Sequence, residues 1–124
     1  MDIEKLIGLE AKSVKVSDDK EEIEIALKDG RIATLKAWGD CCSNSWFEHI
    51  ENIDVLIGNE IVGVIEREMP DGRQADDCEW VEFYGWSIQT QKGSCDIEMR
   101  NMSNGYYGGN VELCFKGEEQ NVNR

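Results

Sequence analysis

"EEIEIALKDGRIATLKAW", residues 21–38, decides the fold class. Ile23, Ile25 and Leu27 alternate with Glu22, Glu24 and Ala26, the two-residue period of a strand with one buried face. "KDG" then supplies Asp29-Gly30, a pair suited to a tight reversal. The chain returns with Ile32, Thr34 and Lys36 alternating against Ala33, Leu35 and Ala37. That is a β-hairpin, and it predicts an antiparallel sheet.

The flanking runs are read outward from this hairpin. "IEKLIGLEAKSVKV", residues 3–16, opens with a short helical turn and passes into strand alternation. In "SNSWFEHIENI", residues 43–53, Trp46, Phe47, Ile50 and Ile53 recur at helical spacing. Ser45 with Glu48 reads there as a capping box, so a second short helix is predicted. "NEIVGVIERE" (59–68) returns to strand. "MPDGRQADDCE" (69–79) holds the only proline and reads as a mobile loop. "WVEFYGWSIQTQ" (80–91), "SCDIEMRN" (94–101) and "NVELCFK" (110–116) are the last strands, with Gly93 at a second hairpin turn. The expectation is an α+β fold: a mostly antiparallel β-sheet with two short helices. Residues 1–117 would form one ligand-binding domain and 118–124 a flexible tail.

The halves echo each other. "LIGLE" at Leu6 recurs as "LIGNE" at Leu56, and "LKDGRIATLKA" (27–37) corresponds loosely to "TQKGSCDIEMR" (90–100). An internal duplication and a coincidence of common turn chemistry both account for the echo.

The totals narrow the function. A chain of 124 residues, 40% hydrophobic and 31% charged, suits one soluble domain. No run is long enough to span a membrane, and the acidic start lacks the pattern of a signal peptide, so a cytoplasmic protein is expected. Five cysteines, an odd number with one adjacent pair, point to reduced thiols rather than a disulfide framework. Cys95 and Cys114 fall in strand-like runs, where a free thiol behaves as a small buried hydrophobe. Thirteen basic residues against 26 acidic give a formal charge of −13. Neutralising a phosphate backbone takes many clustered cations, which excludes bulk nucleic-acid binding. Two readings remain: an acidic mimic of nucleic acid, or a domain with a local cationic pocket for a small anion.

"GDCCSNSWFEH", residues 39–49, gathers metal-ligand types in Asp40, Cys41, Cys42 and His49. Adjacent cysteines and a single histidine do not make the spacing of a zinc ribbon. A nucleophilic thiol paired with His49 would need an orienting partner for the imidazole, and Asp40 opposes thiolate formation. The small residues after Asp40 leave backbone N–H groups open to an anion or a ligand carbonyl.

"RNMSNGYYGGNVEL", residues 100–113, reads structurally as a hairpin, with Asn104-Gly105 turning and Gly108-Gly109 forming a bulge. Functionally it sets Arg100, Asn101, Ser103 and Asn104 beside the stacking surfaces of Tyr106 and Tyr107. Arginine pairs with a diphosphate, and an adenine ring stacks on tyrosine. Trp80, Phe83, Tyr84 and Trp86 add aromatic surface nearby, with Phe83 on the opposite strand face from the other three. In a chain this acidic the few arginines gain meaning: Arg31 follows the first turn, Arg100 precedes the aromatic one, and Arg67 and Arg73 bracket the proline loop.

Together "GDCCSNSWFEH" and "RNMSNGYYGG" resemble a family of small phage and bacterial domains, and in particular the phage Thoeris anti-defence proteins of the first type. The likeness runs from about Leu6 to Phe115. It implies a non-catalytic sponge in the cytoplasm of an infected bacterium, binding a cyclic ADP-ribose messenger that TIR-domain proteins make from NAD. It further implies a homodimer or higher homo-oligomer, no catalytic residue, no cofactor and no metal. The motif positions that carry over as ligand-binding are Arg100, Asn101, Ser103, Asn104, Tyr106 and Tyr107, with Phe83, Asn44 and Trp46 beside them. Met102 departs from the small polar residue expected there. The alternatives are an acidic inhibitor that mimics nucleic acid against a host defence nuclease, a cysteine-dependent hydrolase, or a structural or interaction domain.

Overall fold

A computed structural model describes residues 2–39, 43–76, 79–103 and 109–117. Of the sequence expectations, those on residues 118–124, Asp40, Cys41, Cys42, Cys78, Asn104, Tyr106 and Tyr107 lie outside the described residues.

Among the described residues nine strands follow a one-turn 3-10 helix at Asp2–Leu6. They are β1 (Ala11–Val16), β2 (Glu22–Leu27), β3 (Arg31–Gly39), β4 (Asn44–Glu51), β5 (Ile61–Glu66), β6 (Arg73–Asp76), β7 (Glu79–Thr90), β8 (Gly93–Ser103) and β9 (Gly109–Gly117). A second 3-10 turn, Ile53–Leu56, precedes β5. All strand pairs are antiparallel. They form two sheets, β1-β2-β3-β9 and β4-β8-β7-β5, with β6 also on β7. The inward rows meet in one core: Ile23, Ile25, Leu27, Leu35 and Val111 from the first sheet, Phe47, Trp86, Ile88, Ile97 and Met99 from the second. Each such side chain withdrawn from water contributes about 1.5–3 kcal/mol. Ile3, Leu6 and Leu56 of the 3-10 turns join the same core.

The antiparallel sheet of the sequence reading is present, but its two helices are not. The first is a single 3-10 turn. The second is β4, a strand, so among the described residues the fold is all-β rather than α+β. A bulge explains the misleading spacing. Ser45 and Phe47 point inward opposite Asn101 and Met99, then the register shifts between Phe47 and His49, and Ile50 falls opposite Ile97. One extra residue, Glu48, makes inward positions three apart and imitates a helical period. The proline loop also differs from expectation, since four of its residues form β6 along β7.

The halves are built alike. Each runs as a 3-10 turn and a three-stranded meander (β1-β2-β3, or β5-β7-β8), then gives a fourth strand to the other half's sheet. Reciprocal contacts join them. Gly8 N–H donates to the Ile61 carbonyl at 2.7 Å, and Gly58 N–H donates to that of Ala11 at 2.9 Å. Both glycines hold positive φ, 93° and 76°, which a side chain would resist. Glu10 bridges Glu60 between them. Even the bulges correspond, at Ala11/Ser13 and at Ile61/Gly63.

The departure from this likeness lies between β5 and β7. Its counterpart between β1 and β2 is the short turn after Ser17, whereas here residues 67–76 add a segment and β6.

Candidate functional site

Alternation along β7 and β8 sorts the candidate residues onto two faces. Phe83 lies opposite Arg100, and Arg100 lies opposite Trp46, so one row across three strands reads Phe83–Arg100–Trp46 on the outer face. Asn44, exposed at the start of β4, shares that face two residues from Trp46. Asn101 and Ser103 point the other way and are buried. The Ser45 hydroxyl lies 2.7 Å from Asn101 Oδ1 and 3.1 Å from the Trp38 carbonyl, and its one proton is donated to the nearer, with the carbonyl as the alternative acceptor. A Cβ at Gly109 would stand 2.9 Å from both Asn101 Cβ and Ser45 Oγ. Gly39 and Gly109 are paired across β3 and β9. The described ends of the two sequence motifs, Gly39 and Ser45 of one and Asn101 and Gly109 of the other, thus lie side by side around a buried Ser45–Asn101 bond.

On the inner face Tyr84 braces the second of these motifs at Gly109. Its hydroxyl donates to Glu82 at 3.0 Å and accepts from Gly109 N–H at 3.3 Å. Burial, with the Glu82 carboxylate beside it, pushes this phenol above its usual pKa. Tyr84 stacks parallel to Trp86 at 6.4 Å. Trp80 and Trp86 share this face with Tyr84, and Phe83 does not, as alternation requires.

The outer face carries the more distinctive geometry. A cleft of ≈ 520 Å³ is lined by Arg67, Met69, Arg73, Phe83, Glu98 and Arg100, with exposed Glu68, Pro70 and Asp71. Three of the chain's five arginines meet here. Arg100, on β8, sets its guanidinium 4.6 Å from the Phe83 ring centre. Arg73, on β6 at the other side of β7, sets its own at 5.4 Å. A cation above an aromatic face is held by the ring's quadrupole, so Phe83 both spaces and orients the two groups. The Glu98 carboxylate reaches Arg67 at 3.2 Å and Arg100 at 3.4 Å. Arg100 keeps only 16% of its side chain exposed, and its Nη1 is buried without a hydrogen-bond partner among the described residues. A buried donor left unpaired costs about 1–3 kcal/mol, more when charged, and an incoming anion removes that cost.

Trp46 extends the row. Its indole N–H donates to Glu48 at 2.7 Å. That bond, helped by the charges of Arg100, His49 and Lys20, holds the Glu48 carboxyl below the ordinary value. The indole therefore sits fixed beside Arg100, a flat surface on which a ring can stack.

The structure brings Arg100, Phe83, Trp46 and Asn44 to one face and turns Asn101 and Ser103 to the other. It adds Met69 and Glu98, and it joins Arg67 and Arg73 to the site. The two arginines were visible as the brackets of the proline loop. The readable signal for the rest was Gly85 inside "FYGW", a glycine in a strand with no turn to make. Among the described residues no three His, Cys, Asp or Glu side chains are grouped to hold a metal ion, and no helix is long and apolar enough to cross a membrane.

A family model described as "Domain of unknown function (DUF7448)" matches residues 4–113, and the chain belongs to that family. It is also similar to "Uncharacterized protein L278" of Acanthamoeba polyphaga mimivirus, 27% identical over 106 residues that cover 81% of this chain and 82% of that protein. No solved structure matches.

Proposed function

We propose that this member of the DUF7448 family is a non-catalytic binding protein that captures an anionic nucleotide in the arginine cleft and keeps it intact. One observation carries the reading. In a chain of formal charge −13, three of five arginines line one cleft, two of them over the Phe83 ring, and one of these holds a buried nitrogen without an acceptor among the described residues. Guanidinium groups pair with phosphate oxygens through parallel N–H bonds, and Glu98 presents two of them in position. Trp46 offers the adjoining surface for a base. The volume falls in the usual range for small-molecule sites.

The likeness of the two sequence motifs to Thoeris anti-defence proteins of the first type supplies the candidate ligand, a cyclic ADP-ribose messenger. Sequestration would then act in the cytoplasm of an infected bacterium, with a homodimer or higher homo-oligomer completing the enclosure. Such a ligand has roughly 35 heavy atoms, and at about −0.3 kcal/mol per atom its affinity reaches tens of nanomolar.

The test mixes purified protein with cyclic ADP-ribose, denatures the complex by heat and analyses the released ligand by chromatography. Unaltered ligand is expected; ADP-ribose or another product in its place would mark an enzyme. Arg73→Ala and Arg100→Ala should each weaken binding by about tenfold or more, the loss of one charge-assisted pair. If neither weakens it more than about twofold, the cleft is not the site.

A further inference from the structure

One wall of the cleft is the added segment between β5 and β6, residues 67–72, with Arg73 at its end, and this strap has identifiable anchors. The Arg67 N–H donates to the Gly85 carbonyl at 2.8 Å. Met69 lies directly over Gly85: a Cβ there would stand 2.6 Å from Met69 Sδ, 3.2 Å from its Cγ and 3.4 Å from Arg67 Cβ. Gly72 rests against Trp80, where a Cβ would come 2.5 Å from Nε1 and 3.1 Å from the Val81 carbonyl.

Gly85 sits mid-strand in β7, opposite Glu98, and is not among the glycines of positive φ. Its backbone therefore does not require glycine, and glycine weakens a strand interior. What the position requires is room. Val81 and Phe83, the two preceding residues on the same outer face, carry side chains; only at residue 85 is the surface bare, and Met69 fills the gap.

We infer that Gly85 and Met69 form a latch that seats the strap on the sheet and thereby positions Arg67 and Arg73 for anion binding, making Gly85 a positioning residue of the site rather than a requirement of the fold. The binding half of this inference rests on the cleft being the site proposed above; the seating half does not.

The experiment uses the full chain and two readouts. Trypsin cuts after Arg67 and Arg73 report the seating of the strap, and calorimetric titration with inorganic pyrophosphate reports the cleft. Gly85→Ala should speed cleavage at both arginines by about tenfold and weaken pyrophosphate binding, with far-ultraviolet circular dichroism unchanged. Met69→Ala, which empties the same gap from the strap's side, should likewise speed cleavage at both arginines and weaken pyrophosphate binding. Cleavage and affinity unchanged in Gly85→Ala, or unchanged in Met69→Ala, overturn the latch. If wild type ignores pyrophosphate while trypsin follows the expected order, the latch stands and the anion reading fails. If pyrophosphate binds wild type and Gly85→Ala equally, the anion reading stands and the latch fails as a positioning device.

Discussion

At the scale of single residues, the direction a side chain faces separates stability from binding. Arg100 and Asn101 are neighbours in sequence, yet one looks outward into the cleft and the other inward at Ser45. Asn101→Ala should therefore cost about 1–3 kcal/mol in a urea unfolding curve, since it removes the nearer acceptor of the buried Ser45 hydroxyl and leaves a void beside it. Its effect on anion binding should be slight. Arg100→Ala should show the reverse, and a variant pair that fails to separate in this way would contradict the assigned faces. Cys95 gives a second check. Burial, reinforced by Asp96, pushes its thiol from an ordinary 9.0 up to about 12. The native thiol stays protonated where the unfolded one ionises, so its contribution is complete below pH 9.0 and is lost as pH rises toward about 12. The melting temperature should fall over that window, and less steeply in Cys95→Ala. Iodoacetamide at mildly alkaline pH should label exposed Cys114 and spare Cys95, as peptide mass spectrometry would show; ready labelling of native Cys95 would refute its burial.

At the scale of elements, β4 shows what a one-dimensional pattern conceals. The strands of residues 21–38 were legible because nothing interrupts their period of two. In β4 the bulge at Glu48 shifts the phase once, and Phe47 and Ile50 then read as helix. Deleting Glu48 should remove the bulge while His49 stays opposite Glu98 and Ile50 stays inward opposite Ile97, so urea unfolding should shift by no more than about 1 kcal/mol. A loss of about 2–4 kcal/mol would instead mean that the deletion throws Ile50 out of the core and that Glu48 is not the extra residue. The candidate site was legible in part for a related reason. Period two alone sends Asn101 and Ser103 away from Arg100, so a continuous motif could not all face one ligand. That Phe83 stands opposite Arg100 depends on the register of β7 on β8, set by the turn at Gly93 and by core packing at a distance. Short β6 was hidden because Pro70, Asp71 and Gly72 announce a turn more loudly than four residues announce a strand.

At the scale of the whole molecule, two meanders exchange their fourth strands, and the one large addition to that plan brings two arginines to the cleft. A body with 26 acidic and 13 basic residues repels itself, and the site must attract an anion against that field. The two effects respond to salt with opposite signs. Raising sodium chloride from about 0.02 M to about 0.5 M shortens the screening length to a few ångströms. Screening relieves repulsion among the exposed carboxylates, so the melting temperature should rise. The same screening reaches the cleft, which is open enough for Arg67 to remain 36% exposed, and pyrophosphate should bind about tenfold more weakly. Binding governed instead by stacking on Trp46 and Phe83 would leave affinity nearly constant as salt rises. Parallel differential scanning fluorimetry and calorimetric titrations across the series measure both signs on one sample. An affinity that holds steady while the melting temperature climbs would show that the guanidinium groups do not supply the attraction assigned to them.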